Sequence, residues 1–294
     1  MNDKMIAANG IEIRTESFGD SHGTPLLLVM GASAPGVYWP ERFIQHFVDA
    51  GCFVIRYDNR DTGRTTCREF AAHPYTLDDM AKDAVAVMDG YNLQTAHVAG
   101  ASMGGMIVQT LAIQHRARLR SATIIMSTPL AGGGDPAALS TEELPGADQA
   151  WTEKMMALAM QPSGGRDDDI ERKIKQFELL AGSIEAFDED EQRRIATIEV
   201  DQANDLNMAM NHSMAIASSH PADRRPLLAE LDLPTLVIHG TEDPILPYPH
   251  GVAIAETIPN AELLTLERAG HEMPKCYEQE MVSRMLALQT QAAN

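Results

Sequence analysis

The chain has 294 residues, long for one domain and short for two well-built ones, so the expectation is one large core carrying an insertion. Hydrophobic residues make up 44% and charged residues 22%, which excludes disordered, fibrous and collagen-like classes. Lys and Arg total 23 against 42 Asp and Glu, and a formal charge of −19 repels phosphate backbones and anionic bilayers, so neither nucleic acid nor a membrane is expected as a partner.

Met1 to Gly10 has no basic-then-apolar pattern of a signal peptide, and no apolar run approaches the roughly 18 residues that span a bilayer, so a soluble, cytoplasmic protein is expected. Cys52, Cys67 and Cys276 are widely spaced and read as reduced thiols rather than a disulfide framework or a zinc pair.

In chain order, Ile11 to Thr15 alternates like an exposed strand. Pro25 to Met30 and Cys52 to Tyr57 read as buried strands separated by a helix from about Trp39 to Ala50. Thr76 and Asp79 form a helix start signal, and Met80, Ala84, Val87 and Met88 share a face of the helix that runs to about Tyr91. Thr95 to Gly100 reads as a strand that turns through Gly100-Ala101-Ser102-Met103-Gly104 into a helix ending near His115. Ala122 to Met126, Pro234 to His239 and Glu262 to Leu266 are further strands, and a helix from about Met273 to Leu288 closes the chain. About eight strands alternating with helices predict an α/β fold with a mostly parallel sheet. Between Pro129 and Pro226 strands give way to helical, methionine-rich sequence. The expected organisation is a core of residues 1–128 and 227–294 with a helical cap at 129–226, hinged at Gly132-Gly133-Gly134.

Gly100-x-Ser102-x-Gly104 between strand and helix has the form of a nucleophile elbow: small neighbours permit a sharp turn that lifts the serine oxygen toward the amides of a helix N-terminus. A serine hydroxyl attacks only when a base takes its proton and an acid orients that base. Downstream, Asp243 follows the strand ending at His239, and His271 follows the strand ending near Glu267. Ser102, Asp243 and His271 therefore form the candidate triad, with Glu242 and Asp135 as alternative acids. An oxyanion needs backbone donors: Met103 offers one, and the loop Met30-Gly31-Ala32-Ser33 offers the second from Ala32 or Gly31, with Ala32 preferred.

These residues together resemble the α/β-hydrolase family over nearly the whole chain outside the cap. Asp58-x-Arg60-Asp61-x-Gly63-x-Thr65 is similar to a family loop that usually reads D-x-R-G-x-G-x-S, departing from it at Asp61 and Thr65. That loop, the LLLVMG run and Phe70-Ala71-Ala72-His73-Pro74-Tyr75 resemble the aclacinomycin methylesterase branch and the serine-dependent macrolide esterases. The resemblance implies an ester hydrolase working through an acyl-enzyme without metal or cofactor, on a small-molecule ester or lactone; a monomer or homodimer is the expected state. A bulky polyketide is the expected substrate, with macrolactone opening placed first and methyl-ester removal second. Its wall is expected from Gly31, Tyr38, Trp39, Met155, Met156, Met210 and Met214, although gap-filling is the plainer role for any single methionine. Asp58 and Arg60 are read as loop support by salt bridging. His97 and His239 are read as packing residues, and His212 and His220 lack a ligand-spaced partner, so no metal site is expected. Dehalogenases and epoxide hydrolases with an aspartate nucleophile are excluded by Ser102, whereas perhydrolases, carbon–carbon hydrolases and a triad-bearing receptor stay open.

Overall fold

The computed structural model describes residues 2–132, 140–161 and 164–292. The strands are β1 (Asn2–Ala8), β2 (Ile11–Phe18), β3 (Thr24–Val29), β4 (Cys52–Tyr57), β5 (Ala96–Ala101), β6 (Leu119–Ile125), β7 (Thr235–Gly240) and β8 (Glu262–Leu266). They form one sheet in the order β1-β2-β4-β3-β5-β6-β7-β8, antiparallel at β1/β2 and β2/β4 and parallel from β4 onward. Every residue of β4, β5 and β7 is buried, as parallel strands covered on both faces require.

Helices α1 (Glu41–Asp49), α2 (Leu77–Gly90) and α3 (Met103–Gln114) lie in the first half, and α9 (Pro249–Thr257) and α10 (Glu278–Gln291) in the last part. One face of the sheet is covered by Met80, Ala84 and Val87 of α2, Ile107 and Leu111 of α3 and Ile254 of α9. The other is covered by Phe43 and Phe47 of α1 and Met281, Met285 and Leu288 of α10. The predicted start of α2 holds: the backbone N–H of Thr76 donates to the Asp79 carboxylate at 3.0 Å.

β1 was not expected. It pairs with β2 through the two-residue turn Asn9-Gly10, where both residues have positive φ (52° and 77°), and Asn-Gly between extended segments is the hairpin signal that reading Met1 to Gly10 only for targeting overlooked. α9 also lacked a sequence expectation. The last helix begins at Glu278 rather than Met273, after Pro274 and a short 3-10 turn at Lys275–Tyr277.

Between β6 and β7 stand α4 (Gln149–Ala159), α5 (Arg166–Glu178), α6 (Glu189–Gln202), α7 (Asn211–Ala217) and the short α8 (Arg225–Leu228). The ends of this insertion meet where Leu130 bridges Asp223, with Ala131 N–H on the Ala222 carbonyl at 2.7 Å and Arg224 N–H on that of Pro129 at 3.0 Å. Ile170, Ile174 and Ala196 give it a small core of its own, while Phe177 and Ile198 pack against the sheet layer. Gly133, Gly134 and the alternative acid Asp135 lie outside the described residues.

Candidate active site

Ser102 sits between β5 and α3 with φ 55° and ψ −121°, a left-handed backbone that an L-residue adopts only when its surroundings hold it there. Its N–H donates to the Ile125 carbonyl of β6 at 2.9 Å, and its carbonyl accepts from Gly105 N–H and from Ser127 Oγ, each at 2.9 Å. The flanking glycines are required by contact: a Cβ on Gly100 would strike the Gly104 carbonyl, and one on Gly104 would strike that of Val29. The strain is thus held by two strands and a helix start.

Asp243 follows β7 and is buried. Its Oδ1 accepts the N–H groups of Ile245 and Leu246 at 2.9 Å each, and its Oδ2 accepts from His271 Nδ1 at 2.6 Å. The fully buried His239 places its Nε2 3.4 Å from the same oxygen while donating to the Leu246 carbonyl at 2.7 Å. Burial alone would raise the pKa of Asp243, but the two imidazoles reverse it, holding the carboxyl well below the usual range and therefore ionised. Glu242 is occupied elsewhere: its carboxylate accepts Ser183 N–H at 2.8 Å and Ser183 Oγ at 2.9 Å.

Ser102 and His271 line one cavity of about 320 Å³, together with Gly31, Ala32, Tyr38 and Met103. Asp243 and His271 are in direct contact; Ser102 Oγ and His271 share the cavity wall without a hydrogen bond between them. Ala32 and Met103 both line the cavity beside Ser102, and among the described residues neither N–H donates to a protein acceptor in a loop or turn. Gly31 lies against the nucleophile candidate itself, since a Cβ there would come within 2.9 Å of Ser102 Cβ.

The methionines expected in the wall are not the ones found there. Met155, Met156, Met210 and Met214 do not line the cavity; Met156, Met210 and Met214 are 64%, 73% and 50% exposed. The inward residue of α4 is Leu158, and α7 turns Asn211, His212 and Ala215 inward, which leaves Met214 outside. The lining methionines are Met30, Met103, Met106, Met126 and Met273, all outside the insertion: two on α3 and three in loops that follow strands. Trp39 is also absent from the lining, fully buried against Phe43. Tyr38 does reach the cavity: it stacks on Phe177 at 4.5 Å and donates to Glu199 at 2.5 Å, and Lys173 holds the other oxygen of Glu199 at 2.6 Å. Burial and the Glu199 charge push the Tyr38 phenol well above its ordinary value.

In the motif loop, Asp58 accepts the N–H groups of Gly36 and Arg64 at 2.8 and 3.0 Å, while Arg60 forks onto Asp83 at 2.7 and 2.8 Å. Asp61, which stands where the usual loop has glycine, has φ 65°, and its carboxylate gathers Tyr75 Oη, Asn211 Nδ2 and Arg68 N–H at 2.7 to 2.9 Å. Sequence reasoning missed two partners of the site. Leu180 of the insertion accepts the N–H of His271 at 2.8 Å, and His212 accepts the N–H of Ser33 at 2.9 Å; a loop carbonyl leaves no sequence signal, and His212 was legible only as a histidine without a partner. Among the described residues no group of three His, Cys, Asp or Glu could hold a metal, and no helix is long and apolar enough to cross a membrane.

A family model for the alpha/beta hydrolase fold matches residues 24–274. The chain is 35% identical to the rhodomycin D methylesterase DauP of Streptomyces sp. strain C5, over 98% of each chain, and equally to the rhodomycin D methylesterase DnrP of Streptomyces peucetius. Its fold resembles that of the bromoperoxidase from Bacillus anthracis (TM-score 0.78, 22% identity) and the enol-lactonase from Burkholderia xenovorans LB400 (TM-score 0.76, 20% identity), each match covering 98% of this chain and all of the other. The chain belongs to the α/β hydrolase family. With two esterases among its full-length relatives, it is a carboxylic ester hydrolase.

Proposed function

We propose that this protein is a serine esterase that removes the methyl group from a methyl ester on a bulky, anthracycline-like polyketide. Full-length likeness to two rhodomycin D methylesterases carries this reading, and it moves methyl-ester removal ahead of the macrolactone opening that the motifs alone put first. The ester enters the cavity bounded by the sheet and by the insertion at 129–226, which acts as its cap. His271 Nε2 takes the Ser102 proton, and Asp243 stabilises the imidazolium through the 2.6 Å bond to Nδ1. Ser102 Oγ attacks the ester carbonyl, and the negative charge that develops on its oxygen is met by the N–H groups of Ala32 and Met103. The imidazolium returns its proton to the departing methanol. A water, deprotonated by His271, then releases the polyketide acid from Ser102.

Mass spectrometry of a polyketide panel tests this. Methanol release with a free carboxylic acid product supports the reading, and addition of one water with no fragment lost indicates ring opening instead. If small esters react while neither polyketide class does, the substrate assignment is wrong and the chemistry stands. A single slow turnover of p-nitrophenyl acetate points to a ligand-binding receptor rather than an enzyme.

A further inference from the structure

We propose that His212, presented by the insertion, is a positioning residue for the oxyanion hole, setting the backbone of the loop after β3 from behind. This rests on the esterase reading above, in which Ala32 N–H is one of the two oxyanion donors. His212 lies in the first turn of α7, is completely buried, and does not line the cavity. Its ring joins two loops: Nε2 lies 2.7 Å from the Arg60 carbonyl, and Nδ1 lies 2.9 Å from the N–H of Ser33.

The partners fix the tautomer. A carbonyl can only accept, so Nε2 carries the proton, and the bare lone pair of Nδ1 receives Ser33 N–H. A second proton would have to sit on Nδ1, facing another N–H, and burial likewise favours the neutral ring.

Ser33 needs this hold. Its φ is 58°, a left-handed conformation that disfavours a non-glycine residue. Besides the bond to His212, its Oγ donates to the Ala209 carbonyl at 2.9 Å, so the same short segment of the insertion grips Ser33 twice. Ser33 directly follows Ala32. Fixing the peptide plane between them anchors one side of Ala32 and so restricts where the preceding peptide, with Ala32 N–H, points. An oxyanion donor works only when preorganised at hydrogen-bond distance from the developing charge, so a loop free to turn at Ser33 loses transition-state stabilisation while substrate binding is little affected.

The test compares wild type, His212→Phe, His212→Gln, His212→Asn and Ser102→Ala in p-nitrophenyl acetate turnover and in affinity for a trifluoromethyl ketone, which forms a tetrahedral adduct. His212→Phe fills the volume but removes the acceptor; kcat is expected to fall about 10- to 100-fold with KM within about threefold, and ketone affinity to weaken in parallel. His212→Gln, whose amide carries an acceptor beside a donor as the ring does, is expected to recover most of the loss. A folded His212→Phe with undiminished kcat overturns the proposal, as does a loss of kcat with unchanged ketone affinity, which marks packing alone. Should His212→Phe not fold, His212→Asn decides: retained kcat supports the acceptor role, and a loss as large as that of Ser102→Ala overturns it. Undiminished turnover in Ser102→Ala would sink the esterase reading itself, an outcome separate from any of these.

Discussion

The backbone N–H of His271 donates to the carbonyl of Leu180 at 2.8 Å, tying the loop of the proposed base to a turn of the insertion. The two backbones are interlocked: a Cβ on Gly270 would strike the Leu180 carbonyl, and one on Gly182 would strike that of Arg268. Glu272 adds a further tie by accepting Gly182 N–H at 2.7 Å. Gly270→Ala must therefore part the loops by roughly an ångström and displace His271. The expected result is a kcat about 10- to 100-fold lower with the protein still folded, read from p-nitrophenyl acetate kinetics beside a thermal melt. Wild-type kcat in a folded Gly270→Ala would show that the insertion does not position His271.

Two adjacent carboxylates offer a sharp comparison. Asp243 contacts His271, and Glu242 binds Ser183 of the insertion. Asp243→Asn replaces the acceptor of Nδ1–H with a group that can present a donor, so the wrong imidazole tautomer is favoured; kcat is expected to fall about 10³- to 10⁴-fold with little change in KM. Glu242→Gln keeps an oxygen acceptor for Ser183 and is expected to stay within about threefold of wild type, because it touches neither reacting side chain. Equal losses in the two variants would remove Asp243 from its assigned role.

What the sequence made legible followed from short-range chemistry. Cys52–Tyr57 and Glu262–Leu266 have the same bounds in sequence and structure, the first as a fully buried, largely apolar run and the second as a short leucine-rich edge strand. Gly100, Ser102 and Gly104 announced the elbow because contact there tolerates no larger residue at the two glycines. Asp61 could be seen as a departure from its motif, but its work as a hub for Tyr75 and Asn211 needed coordinates. Long-range partners such as Ser33 and His212, 179 positions apart, have no local pattern to betray them. The methionines failed for a related reason: composition locates an apolar helix without saying which of its faces meets the cavity.

That difference is measurable. Met156, Met210 and Met214 are exposed, whereas Met106 and Met126 line the cavity. Replacing the three exposed methionines together by serine is expected to leave kcat/KM for a short ester within about twofold, since surface changes away from special contacts do little. Met126→Ala is expected to cost about 2 to 5 kcal/mol of stability by leaving a hole behind a buried side chain, and to change KM for a bulky ester more than for p-nitrophenyl acetate. Urea melts and paired kinetics check both. A large loss of ester hydrolysis in the exposed triple variant would mean that those methionines do reach substrate.

His97 allows a test of stability against pH that is separate from the site. It lies on β5, 3% exposed, with Nδ1 2.8 Å from Ser121 Oγ, and burial, with the nearby charge of Arg120, lowers its pKa to about 4. In the unfolded chain the ring titrates near 6.5, so between the two values the unfolded state binds the proton and the folded state does not. The contribution of His97 to stability is therefore complete above about pH 6.5 and is lost as pH falls toward 4, with a limiting slope of about 1.4 kcal/mol per pH unit. His97→Asn retains an amide able to bond Ser121 but does not titrate. Measured by urea unfolding from pH 8 down to 4, the wild type is expected to lose stability more steeply than the variant below pH 6.5, while the two curves run parallel above it. The other histidines are common to both proteins and cancel in the difference. Parallel curves throughout the acid range would mean that His97 is protonated as readily in the fold as in the unfolded chain.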